Sequence, residues 1–150
     1  MPGKMIVLFF LFGLVSCARP NYQDDSTNTN QSENNVDSSC GLKFDQTHFC
    51  GHITWEKQQT EDEMGSFLIQ FGILGSDNQL VPQTPPASLT VVLWMPSMGH
   101  GSSPVSVVRL STGLYRVSNV WFSMPGEWLI QVKFKNQTAV LDESSQTFHF

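Results

Sequence analysis

The feature that most limits how this chain can fold is the two-residue alternation of apolar side chains through its C-terminal two thirds. It is clearest in residues 128–134, where every second side chain is large and apolar while Gln131 and Lys133 lie between. Because successive side chains of a β-strand point to opposite faces of a sheet, this pattern predicts strands with one buried face. We predict about seven strands, at residues 49–55, 67–73, 89–95, 105–110, 114–122, 128–134 and 146–150.

Segments rich in Gly, Pro, Ser and Asn separate these strands and are typical of turns. They lie at residues 75–78, 81–87, 96–104, 111–113 and 125–126. No stretch of the sequence has a sustained helical spacing of apolar residues. The chain is therefore predicted to be all-β, with an immunoglobulin-like antiparallel β-sandwich as its architecture.

The N-terminus has the features of an export signal. Lys4 precedes an uncharged, mostly apolar run over residues 5–15, which is too short to span a bilayer as a permanent helix. The run ends in Leu-Val-Ser-Cys, which resembles the bacterial lipobox and predicts a signal peptide at residues 1–16 and lipidation of Cys17. The next residue is Ala18 rather than Asp, which by that resemblance implies the outer membrane of a Gram-negative cell envelope. The alternative is an ordinary secretory peptide in which Cys17 is incidental.

Residues 17–39 are dominated by Asn, Gln, Ser, Thr and Asp. Such a segment buries too little apolar surface to offset its ordering entropy, so we predict a lipidated cysteine followed by a flexible polar tether. The folded domain is expected at residues 40–150, a length that suits one hydrophobic core.

Cysteine usage fits an exported protein. With Cys17 taken by lipid, Cys40 and Cys50 remain as a pair in an oxidising compartment, and we predict that they form a disulfide. A loop of this length stabilises a fold by roughly 2.5 to 3 kcal/mol on the chain-entropy model. The alternative is a metal site in the segment HFCGH, where a strand would place His48, Cys50 and His52 on one face and a reduced Cys50 could ligate zinc or copper.

The turn segment MPSMGHG is the strongest candidate for a functional site. It groups Met95, Met98 and His100 among glycines, which let the backbone bring several side chains to one centre. Thioether and imidazole donors in an exported protein favour copper over zinc or calcium. Met124, in the similar stretch SMPGEW, is a candidate fourth ligand if the two turns lie at the same end of the sandwich.

A structural explanation of the same residues stands beside the copper hypothesis. Met95 is in phase with the apolar positions of its strand, which favours the core, where methionine often fills gaps. Met124 precedes Pro125 and Gly126 just before a core strand, which also favours packing. Met98 and His100 fit the apolar alternation less well.

Residues 93–132 resemble the YtkA-like and FixH-like family of small exported domains. The resemblance rests on LWMPSMGHGSSPV followed by GLYRVSNVWFSMPGEWLIQV, in which an MPxMGHG-type turn precedes G-x-Y and then MPG-x-W. It implies an immunoglobulin-like sandwich in the envelope, in a family with members encoded beside or fused to copper transport and cytochrome oxidase assembly functions. The matching residues are Met95, Pro96, Met98, Gly99, His100, Gly101, Tyr115, Met124, Pro125, Gly126 and Trp128.

Two functions of different class remain. The first is an envelope lipoprotein that binds copper at Met98 and His100, with Met95 or Met124 completing the set, and buffers the metal or exchanges it with a donor or acceptor protein. The second is a non-metal immunoglobulin-like interaction or structural module of the outer membrane. In both, the lipid on Cys17 contacts the membrane. We expect no enzyme, because no GxSxG or HExxH spacing occurs, and no nucleic-acid binding, because the net charge is −5.

Overall fold

The computed structural model describes residues 40–150, which form ten β-strands in two antiparallel sheets. The predicted signal peptide, Cys17 and tether lie outside these residues. No helix among the described residues is long and apolar enough to cross a membrane. The strands are β1 Leu42–Lys43, β2 Cys50–Lys57, β3 Gly65–Leu74, β4 Leu80–Pro82, β5 Ser88–Met95, β6 His100–Gly101, β7 Ser106–Ser111, β8 Leu114–Val120, β9 Glu127–Asn136 and β10 Ala139–His149.

The predicted all-β sandwich is confirmed. Each of the seven predicted strands corresponds to one of the longer strands, while β1, β4 and β6 have only two or three residues and were not predicted. One sheet has the order β1-β2-β3-β8-β7, with β4 also paired to β3, and the other has the order β10-β9-β5-β6. Every strand pair is antiparallel.

Aromatic side chains from both sheets form much of the core. Phe134 of β9 stacks on Phe44 with ring centroids 4.1 Å apart and meets Phe71 of β3 edge-on at 5.5 Å. Near the other end of the strands, Trp55 of β2 packs against Phe67 and Phe148. These contacts join the inner faces of the two sheets. Replacing a buried aromatic side chain by alanine typically lowers the free energy of unfolding by about 3 to 5 kcal/mol.

The antiparallel strands give the sandwich two distinct ends. The Met pole, as we call it, consists of residues 58–64, 95–101 and 121–126, which include the loops that follow β2, β5 and β8. It carries all four methionines of residues 40–150, which are Met64, Met95, Met98 and Met124. The opposite end, the disulfide pole, contains the start of β2 and the predicted Cys40–Cys50 disulfide, which is present with a Cα–Cα distance of 5.2 Å. An eight-residue strand such as β2 separates the two poles by about 25 Å.

Asp142 is the one buried charged side chain among residues 40–150 and lies beside a bulge in β10. Its Oδ2 accepts hydrogen bonds from the backbone N–H of Gln46 at 2.9 Å and of Thr47 at 2.7 Å, and from the Thr47 hydroxyl at 2.9 Å. Its Oδ1 accepts from the backbone N–H of Glu143 at 2.9 Å. The carboxylate therefore ties the turn after β1 to the opposite sheet.

Replacing Asp142 by alanine should destabilise the domain by about 2 to 4 kcal/mol, because several donors lose their acceptor in a partly buried site. Urea unfolding followed by tryptophan fluorescence measures the change. Glu143→Ala is the control, since it removes only an exposed ion pair with Lys133 and should cost about 0.5 kcal/mol or less. Equal losses in the two variants would contradict this assignment for Asp142.

Candidate functional site

The MPSMGHG turn is built on the end of β5. The backbone N–H groups of Met98 and Gly99 both donate to the carbonyl oxygen of Met95, at 3.3 and 3.0 Å. Gly99 has a φ of 66°, in the left-handed region that favours glycine. The chain then returns as β6, with Met95 opposite His100 and Trp94 opposite Gly101. The turn therefore folds His100 back beside the strand that carries Met95.

Met95 lies in the core rather than on the surface. Only 5% of it is exposed, and it belongs to the main cluster of buried apolar residues. Its terminal methyl carbon lies 2.6 Å from the position that a Cβ on Gly126 would occupy. The side chain of Met95 thus packs directly on the backbone of the second turn.

Met98 and His100 have different environments, although they are two residues apart. Met98 is 59% exposed, so its thioether is open to solvent. His100 is half-buried, and its Nδ1 lies 3.2 Å from the carbonyl oxygen of Gly101. When Nδ1 donates to this carbonyl, Nε2 carries the lone pair that a metal ion needs.

Trp128 links the two turns. Its indole is fully buried and donates from Nε1 to the carbonyl oxygen of Met124 at 3.0 Å. The ring of His100 meets the same indole edge-on, with centroids 6.2 Å apart. Met124 itself is half-buried and packs against the core. The structure therefore places both turns at the Met pole, around Trp128, while Met98 projects away from the core.

Two further contacts hold the second turn in place, and the sequence did not single them out. The backbone groups of Phe150 and Gly126 exchange two hydrogen bonds, at 2.6 and 3.0 Å, and the Phe150 ring stacks on Phe122. The side-chain amide of Gln59 donates to the carbonyl of Phe122 and accepts from its N–H. Gln59, Phe122 and Phe150 border a surface pocket of about 540 Å³ that is also lined by Met124. For the contacts that hold the second turn, the only sequence signal was the alternation of Phe148 and Phe150, which predicted a strand there.

The donors predicted at the Met pole are the thioethers of Met95, Met98 and Met124 and the imidazole of His100. Within residues 40–150, with the Cys40–Cys50 disulfide intact, no three His, Cys, Asp or Glu side chains are grouped to hold a metal ion. A metal bound at this pole would therefore rely on thioether sulfur together with the imidazole of His100, a combination that favours Cu(I). Copper itself stays a prediction.

The second cluster predicted in the sequence, HFCGH, is only partly assembled. His48 lies outside β2 with a φ of 59°, so the prediction that it shares a strand face with Cys50 and His52 is wrong. A left-handed residue ends the strand alternation at that point. Cys50 and His52 do share a face of β2, and His52 Nε2 is 3.8 Å from the Cys50 sulfur.

Comparison with known proteins gives one match. A family model described as YtkA-like matches residues 58–133, just over half of the chain. No curated protein and no solved structure matches the chain. The matched region contains both turns of the Met pole and Trp128, whereas the Cys40–Cys50 disulfide and β10 lie outside it.

The glycines of the two turns should differ in their tolerance of a side chain. Gly99→Ala should cost about 1 kcal/mol, because a Cβ there meets no atom within 4 Å and only the left-handed backbone opposes it. Gly126→Ala should cost about 2 kcal/mol or more, because its φ of 140° is a glycine conformation and the Cβ would collide with Met95.

Urea unfolding of both variants measures these costs, and Met95→Val tests their cause. Combining Met95→Val with Gly126→Ala should cost less than the sum of the two single changes, since the shorter side chain removes the colliding methyl group. Strict additivity would show that Met95 does not pack on Gly126.

Proposed function

The chain belongs to the YtkA-like family, and on that premise we propose that it is an exported accessory domain of the bacterial envelope that binds Cu(I) at the Met pole. Met98 and His100 are the principal ligands, and Met124 or Met95 completes the set. The domain either buffers copper or exchanges it with a donor or acceptor protein.

The observation that carries this proposal is the pairing of an exposed thioether with an oriented imidazole in one turn. When His100 Nδ1 donates to the Gly101 carbonyl, 3.2 Å away, this hydrogen bond orients the ring and leaves Nε2 for a metal. Packing accounts for Met95 and backbone conformation accounts for Gly99 and Gly126, but no packing contact accounts for a methionine as exposed as Met98. A soft donor kept at the surface beside a histidine suits a metal that is taken up and released.

The remaining ligand comes from the second turn. Met124 is half-buried, and its backbone is held by Trp128, whose indole also contacts His100. This arrangement supports Met124 as the third ligand. Met95 is the less accessible choice, because its methyl group is packed against Gly126.

One observation favours the second function, a non-metal interaction or structural module. The packing of Met95 on Gly126 and the hydrogen bond from Trp128 to Met124 explain much of both motifs without a metal. Under this function Met98 would be an exposed contact for a protein partner at the outer membrane. The two functions differ in whether Met98 and His100 bind copper.

Copper binding is tested with the full chain carrying Cys17→Ser, titrated anaerobically with Cu(I) against a chromogenic chelator while the Cys40–Cys50 disulfide is intact. We expect one Cu(I) per chain. Met98→Leu and His100→Ala should each weaken binding by at least about tenfold. Met98→Leu should change the free energy of unfolding by about 0.5 kcal/mol or less, because its side chain is exposed.

Met64→Leu is the matched control, because Met64 is another methionine of the Met pole and is 53% exposed. It should retain full affinity. No binding above the chelator background, or equal affinity in all three variants, would exclude the copper site and leave the interaction module.

Membrane attachment is proposed to occur through a lipid on Cys17, with the outer membrane as its location. Cys17→Ser should abolish incorporation of labelled palmitate and move the protein from the membrane fraction to the soluble fraction. Cys40→Ser should leave both unchanged, since Cys40 belongs to the disulfide. Palmitate incorporation into the Cys17→Ser variant would contradict the lipobox assignment.

A further inference from the structure

The disulfide pole combines two sulfur atoms with an imidazole. Cys50 and His52 are two residues apart in β2, so their side chains share one face of the sheet. His52 Nε2 lies 3.8 Å from the Cys50 sulfur, which is bonded to Cys40. Gly51 between them packs tightly, since a Cβ there would lie 3.2 Å from atoms of Leu42 and Phe71. The backbone that carries both donors is therefore well supported.

We infer that reduction of the Cys40–Cys50 disulfide creates a second metal site, in which two thiolates and the His52 imidazole bind Cu(I). Thiolate and imidazole donors suit this ion, and in the oxidised form neither sulfur is a thiolate. The disulfide therefore makes the site redox-dependent, since its thiolate ligands exist only after reduction. This inference is independent of the Met pole, which lies at the other end of β2.

The two sulfur atoms differ in their access to a reductant. Cys50 is 1% exposed, whereas Cys40 is half-buried, and both border a pocket of about 400 Å³ lined also by His48 and Lys43. A thiolate from outside reaches the Cys40 sulfur more easily. Attack there makes Cys50 the leaving group, and when His52 Nε2 carries a hydrogen it donates to the departing thiolate, since the two atoms lie 3.8 Å apart in the disulfide form.

The chemistry balances with an external dithiol as reductant. One thiolate of the dithiol bonds to the Cys40 sulfur as the Cys40–Cys50 bond breaks, and its second thiol then displaces Cys40. The dithiol leaves as its own disulfide, having given two electrons, and Cys40 and Cys50 gain two protons. Cu(I) binding to the two thiols and His52 then releases two protons, because thiolates are the ligands.

The test uses the full chain carrying Cys17→Ser, Met98→Leu and His100→Ala, in which Cys40 and Cys50 are the only cysteines and the principal Met-pole donors are gone. Oxidised protein and protein reduced with dithiothreitol, then freed of it anaerobically, are titrated with Cu(I) against the chromogenic chelator. The reduced protein should bind one Cu(I) and release two protons, and the oxidised protein should bind none. Near-UV circular dichroism reports whether the fold survives reduction.

His52→Ala in this background should weaken Cu(I) binding to the reduced protein by at least about tenfold and slow reduction by dithiothreitol. His149→Ala is the matched control, since His149 is an exposed histidine at the other end of the sandwich. It should change neither quantity. Three results would each overturn the inference: equal Cu(I) binding before and after reduction, equal behaviour of the two histidine variants, or loss of the near-UV signal on reduction.

Discussion

The Met pole depends on one buried side chain, the indole of Trp128. Its N–H is satisfied by the carbonyl of Met124, and its faces and edges are covered by Phe122 and His100. A buried indole donor needs a partner, so the turn that contains Met124 is held where Trp128 requires it. The first turn is held by the same ring through His100 and by Met95, which packs against Gly126. Trp128 thus contacts both turns, and Met95 packs the first turn against the second.

The two ends of the sandwich rely on different kinds of stabilisation. At the disulfide pole, a covalent bond and the carboxylate of Asp142 secure the segment between Cys40 and Cys50, which contains only two residues in β1. At the Met pole, the loops are held by aromatic packing and by the two hydrogen bonds between the Gln59 side chain and the Phe122 backbone. Each proposed copper site uses the donors of its own end, thioether and imidazole at one and thiolate and imidazole at the other.

Sequence reasoning predicted what depends on local alternation and missed what depends on pairing. The seven longer strands were predictable because one face of each is buried, as in β9. The start of β10 at Ala139 was not, because the bulge between Val140 and Asp142 shifts the alternation. The very short β1, β4 and β6 have too few residues to show a period. The contact of Trp128 with both turns depends on the register of β9 against β5, and a single sequence does not show which residues of two strands are paired.

The position of the Cys40–Cys50 bond also determines how the domain responds to mechanical load. Tension applied through residues that precede Cys40 passes across the sulfur atoms into the first residue of β2, and residues 41–49 are bypassed. If an opposing force acts at the Met pole, the load runs along β2, perpendicular to the hydrogen bonds that join β2 to β3. Those bonds then resist in shear, as a group, instead of parting one after another. The disulfide thus makes the longest-paired part of this sheet, rather than the two-residue β1, the element that carries a load between Cys40 and the Met pole.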